Sequence, residues 1–183
     1  MPSSLRRLDT LRAKARVYAS DDVRRLLGDV TAAPPLALCI DVDALERTYL
    51  ARIDGVMLLA LQALCERLPV ALLAWDANER AAILSAALPT AVRCTHTAPH
   101  RSLAPVRAAL PGRRLVVLTD APDLVADRES ADRALLLGAL PHLGQRNIAR
   151  IRDLEVRATL WWLAEHVVQS TETLKASSRK EFR

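Results

Sequence analysis

The stretch Pro35-Leu36-Ala37-Leu38-Cys39-Ile40-Asp41-Val42-Asp43 constrains this chain more than any other. Its apolar run is too short for a typical helix and follows Pro34-Pro35, so it reads as a buried strand. Two carboxylates stand at alternate positions where the run ends. In an α/β sheet, ligands bind beyond the carboxyl ends of parallel strands, which is where Asp41 and Asp43 would lie. Two readings are open at this point. Asp favours turns, so the pair may do no more than mark the strand's exit into solvent. Alternatively, the chain loosens after Asp41 and both carboxylates approach one bound cation; two bare carboxylates at that range repel, and a divalent metal relieves them.

Downstream, apolar runs alternate with helical patterns. Val56 to Leu68 fits a helix that Pro69 ends, and a short connection from Ala44 to Gly55 leads into it. Val70 to Trp75 is a second buried strand, and Asp76-Ala77-Asn78-Glu79 caps a helix through Leu88. Ala91 to Thr95 is a weaker strand, followed by a helix from Leu103 to Leu110. Leu115 to Thr119 is the clearest strand and ends in Asp120; a helix over Asp123 to Asp132 and a strand over Arg133 to Leu140 follow. Strands alternating with helices of about ten residues predict an α/β fold: a three-layer, Rossmann-like parallel sheet with helices on both faces. Helical extensions flank it. Leu5, Leu8, Leu11 and Ala15 form one stripe, Ser20-Asp21-Asp22 starts a second short helix, and a long final helix over Arg146 to Thr173 carries Trp161-Trp162. The predicted organisation is thus 1–33 helical extension, 34–145 core, and 146–183 helix and tail.

A chain of 183 residues, 51% of them hydrophobic, is long enough to bury a real core as one domain. The +5 charge is Arg-rich and concentrated at the ends, which suits solvated helix faces better than nucleic acid, because no aromatics interleave the basic residues. Cys39, Cys65 and Cys94 are far apart and without CxxC spacing, so they read as buried thiols of a reducing compartment. Met1 to Arg7 has no apolar signal core, and no apolar stretch reaches membrane-spanning length; a cytoplasmic location away from membranes is expected. His96, His100, His142 and His166 show no zinc spacing, and no Gly-rich phosphate loop is present.

In a parallel sheet the ends of the first and fourth strands lie on one edge, so Asp41, Asp43, Asp120 and Asp123 are expected to converge there as a hard-oxygen site suited to Mg²⁺. Pro99-His100-Arg101 precedes a helix leading into the second acidic strand, and its cation suits a carboxylate or a phosphate. Over Leu36 to Gly138, this order of parts resembles the haloacid dehalogenase-like (HAD) phosphatase superfamily, as a divergent capless member. The resemblance implies a Mg²⁺-dependent phosphatase or phosphotransferase, a phosphoric monoester hydrolase. In it Asp41 is the nucleophile that becomes an aspartyl-phosphate, and Asp43 is the acid and base. Asp41, Asp43 and Asp120 hold Mg²⁺ with Asp123 as helper, and Arg101, with His100 as a stand-in, takes the place of the stabilising Lys. An open site of this kind implies a large or macromolecular phosphorylated substrate.

The same comparison opens a second reading. Where the family's second strand ends in Ser or Thr, this chain has Ala74-Trp75-Asp76, and Thr119 stands where Gly precedes the last acid. These departures, the terminal helices and Trp161-Trp162 suit a HAD-fold pseudoenzyme, a binding or assembly module that meets a protein partner or a second copy through its terminal helices. A receiver-like domain phosphorylated on Asp fits less well, because Asp76 lacks the surroundings such a site requires.

Overall fold

A computed structural model describes residues 35–48, 55–97, 99–137 and 148–151, together with Leu160 and Leu163. Six strands form one sheet in the order β3-β2-β1-β4-β5-β6. These are β1 (Leu36–Asp41), β2 (Val70–Trp75), β3 (Val92–His96), β4 (Arg114–Thr119), β5 (Arg133–Leu137) and β6 (Ile148–Ile151), and every neighbouring pair is parallel. The chain therefore builds outward from β1 to one edge, then returns beside β1 and builds to the other. The order reverses between β1 and β4, the place where an open α/β sheet leaves a crevice.

Side-chain alternation divides the sheet into two cores. Leu38 and Ile40 of β1, Leu72 of β2 and Val116 and Leu118 of β4 pack on one face. Helices α1 (Val42–Thr48), α2 (Gly55–Cys65) and α3 (Glu79–Ala87) cover that face through Leu45, Met57, Leu61, Leu64 and Leu84. Helical Leu160 and Leu163 join the same cluster. On the opposite face Ala37, Cys39, Ala71, Leu73, Leu115 and Val117 pack under α4 (Ala104–Ala109) and α5 (Pro122–Ala126) through Val106 and Leu124. Strands buried on both faces read as unbroken apolar runs, which is why β1, β2 and β4 stand out in the sequence. Leu38, at the centre of β1, is wholly buried, and truncation to Ala there costs about 2–5 kcal/mol through lost burial plus a cavity.

The three-layer α/β architecture is as predicted, but several boundaries differ. The expected connection after Ala44 is instead helix α1, which begins one residue after β1. Its first turn is capped from within: the Asp41 carboxylate accepts the Ala44 N–H at 3.0 Å, three residues on, as an N-cap does. The helix predicted over Asp123 to Asp132 stops at Ala126. Buried Asp132 accepts the backbone N–H groups of Glu129 and Leu115 and a hydrogen bond from Arg107, and these fold 127–132 into a turn that docks on β4 and α4. The long final helix was expected from Arg146, yet Ile148–Ile151 is strand β6, paired with β5. An open parallel edge on β5 offers this β-branched segment a full ladder of hydrogen bonds, and that outweighs helical periodicity. The N-terminal helices, Trp161-Trp162 and the tail lie outside the described residues. Among the described residues, no helix is long and apolar enough to cross a membrane.

Candidate functional site at the carboxyl rim

The rim is assembled by strand parity. Asp41, Thr119, Trp75 and His96 each continue the series of residues that face α4 and α5, so their side chains emerge on one side of the sheet. Register places Ile40 beside Leu118, so Asp41 and Thr119 are neighbours at the ends of adjacent strands. Arg101 arrives from the segment that enters α4 on that same face. That segment is fixed by Asp127 at the end of α5, which accepts Ser102 Oγ at 2.9 Å and the Leu103 N–H at 2.6 Å.

Asp41 is wholly buried and fully engaged. Oδ1 accepts the Ala44 N–H at 3.0 Å, while Oδ2 accepts Thr119 Oγ1 at 2.6 Å and Arg101 Nη1 at 2.7 Å. Thr119 Oγ1 in turn accepts the Ala121 N–H at 2.9 Å, which orients its proton toward Asp41. Burial pushes the Asp41 carboxyl above its ordinary value, against the lowering effects of Thr119, Arg101 and Ala44. Arg101 is itself largely buried, and its guanidinium lies 6.0 Å from the centre of the Trp75 ring, a cation–π placement that holds the charge over Asp41.

Asp43 belongs to the first turn of α1 rather than to the strand, and so it turns away from Asp41 toward β2 and β3. Its Oδ2 accepts the Trp75 N–H at 3.1 Å and its Oδ1 accepts Asn78 Nδ2 at 2.6 Å. Asn78 is at once the N-cap of α3, accepting the N–H groups of Arg80 and Ala81. Behind Asp43, His96 is buried with Nε2 3.5 Å from Oδ2 and its ring edge-on to Trp75, centroids 4.1 Å apart. Burial lowers the His96 pKa, countered by the nearby Asp43 charge, so the imidazole is neutral at pH 7.

Asp120 is gripped from α1. Arg47 Nε and Nη2 fork onto its two oxygens at 2.9 and 2.5 Å, and this pair raises the already high pKa of Arg47. Asp123 is half-exposed at the start of α5 and stands apart from this group, with His100 Nδ1 3.9 Å away. The structure therefore joins Asp41 to Arg101, leaves His100 outside, and distributes Asp43, Asp120 and Asp123 to separate partners. Among the described residues, no three His, Cys, Asp or Glu side chains are grouped to hold a metal ion. The donor set as arranged does not fit Mg²⁺, which needs near-octahedral oxygen ligands at about 2.0–2.1 Å, because the carboxylate oxygens at the rim already accept protein hydrogen bonds. Beside the rim an open cleft of about 400 Å³ is lined by Asp43, Glu46, Trp75, Asn78, Glu79 and Arg80.

Four participants escaped the sequence reading. Thr119 was legible as the neighbour of Asp41 by strand parity, and Asn78 as a helix cap. Arg47 and His96 carry no local signal, since their partners lie far away in the chain. Cys39 and Cys94 are buried free thiols and Cys65 is half-buried; burial raises the pKa of all three, so they are protonated at pH 7.

The fold and rim define an α/β protein of the doubly wound type with an internally neutralised acidic edge. No protein-family model matches the chain, and comparisons with curated proteins and with solved structures return no significant match.

Proposed function

We propose that this chain is a HAD-like α/β module that binds or assembles without turning over phosphate. One observation carries the reading: Asp41, the residue that would attack phosphorus, is buried with both oxygens committed to Ala44, Thr119 and Arg101. A carboxylate nucleophile needs a free lone pair directed at its target, and here each is spent on holding the rim closed. Trp75 adds to this, because the second strand ends in a bulky ring rather than a hydroxyl that would hold a phosphoryl oxygen. Docking of a protein partner or a second copy through the terminal segments, and a cytoplasmic setting, belong to the same proposal.

The phosphotransfer reading keeps one supporting observation, the Arg101 guanidinium 2.7 Å from Asp41 where the resemblance calls for a cation. A single assay separates the two. The 183-residue chain is incubated with an aryl phosphate and Mg²⁺, beside Asp41→Asn. The binding reading expects both proteins to release phosphate at the buffer rate; Mg²⁺-dependent release that Asp41→Asn abolishes would sink it.

A further inference from the structure

We propose that Arg47 and Arg101 do at this rim what a divalent cation does in an acidic site, so that the protein is built to be independent of metal and removal of the two guanidiniums creates a demand for one. The argument starts from charge. Asp41, Asp43 and Asp120 stand at the ends of β1 and β4 and in the first turn of α1, and three carboxylates so placed destabilise one another unless positive charge intervenes. Two arginines from outside the sheet supply it.

Their placement is not that of casual surface pairs. Arg101 Nη1 contacts an acid with no solvent exposure, from a side chain only 12% exposed, and its loop is pinned by Asp127 through Ser102 and Leu103. Arg47 reaches from α1 to the end of β4, across 73 positions of sequence, and meets both oxygens of Asp120 with a two-pronged fork. A guanidinium presents several fixed donors in one plane and stays charged at any accessible pH, so it neutralises a carboxylate without being lost by dilution. Asp43 needs neither arginine, because Trp75 N–H and Asn78 supply neutral donors and His96 closes the remaining side.

This inference shares its rim with the binding reading, but its test reads metal-dependent stability rather than phosphate release, so the two fail separately. Thermal unfolding of the 183-residue chain is followed in chelator and in about 10 mM Mg²⁺, for wild type, Arg47→Gln and Arg47→Gln/Arg101→Gln. Wild type is expected to shift by less than about 1 °C. The double variant is expected to melt lower in chelator and to recover by about 3–5 °C with Mg²⁺, as a site with a dissociation constant near 1 mM would give. Should the double variant not fold, Arg47→Gln alone carries the test. Its partly exposed pair contributes little to stability, and the Mg²⁺ response it gains must vanish on adding Asp120→Asn. A wild-type chain that Mg²⁺ stabilises as much as the variants overturns the inference. So do folded variants that ignore Mg²⁺.

Discussion

Thr119→Val tests the rim at its most connected atom. Thr119 is wholly buried, donates to Asp41 Oδ2 at 2.6 Å and accepts the Ala121 N–H at 2.9 Å. Valine keeps the shape and deletes both bonds. A hydrogen bond to a charged acceptor contributes about 1.5–3 kcal/mol, and a buried N–H left without a partner costs about 1–3 kcal/mol. The extra methyl returns about 0.8 kcal/mol through apolar burial. Asp41 keeps Arg101 and Ala44, so the carboxylate is not stranded, and the net loss should be about 3 kcal/mol. For a chain of this length that lowers the thermal midpoint by about 6–12 °C. The assay is urea and thermal unfolding followed by circular dichroism, with Thr119→Ser as the control that keeps the hydroxyl. Serine should recover most of the loss. A Thr119→Val loss under about 1 kcal/mol, or a serine variant no better than valine, would show that the Thr119–Asp41 bond does not hold the rim.

Three further outcomes follow from the same geometry. His96 has a folded-state pKa below its ordinary 6.5, so the unfolded chain binds the extra proton first as pH falls; stability should drop from about pH 6.5 to the lowered value and level off beneath it. Against His96→Phe, which lacks that titration, urea midpoints measured between about pH 5 and pH 8 should show the wild type losing ground below pH 6.5, and a constant difference would refute the burial argument. Asn78→Ala removes the α3 cap and a donor to Asp43 together, and should cost about 1–2 kcal/mol by urea unfolding; a cost below about 0.3 kcal/mol would mean the cap is replaced by water. Asp132→Ala strands Arg107 and the N–H groups of Leu115 and Glu129, and a loss of about 3–5 kcal/mol is expected from denaturant midpoints, whereas an Ala variant of native stability would contradict the network.

Burial on both faces writes itself into sequence as unbroken apolar runs, so β1, β2 and β4 could be placed within a residue or so from the chain alone. The bounded run before Asp41 implied a parallel sheet, and parity then implied that Asp41 and the end of β4 share an edge. Arg101 as the cation beside Asp41 was legible for the same reason, since a residue entering the helix before β4 must pass that edge. What local pattern could not contain was partnership at a distance. Arg47 lies only six positions after Asp41, yet it closes on Asp120 because α1 begins immediately after β1 and aims it across the sheet. Strand β6 was hidden because the open edge of β5, rather than its own residues, makes it a strand. The chain by itself thus determined the layers, the sheet and the acids at its rim, through short-range periodicity and turn chemistry. The tertiary structure alone decided what those acids touch, because a carboxylate's partner is chosen by which cation the fold brings within about 3 Å and not by its place in the sequence.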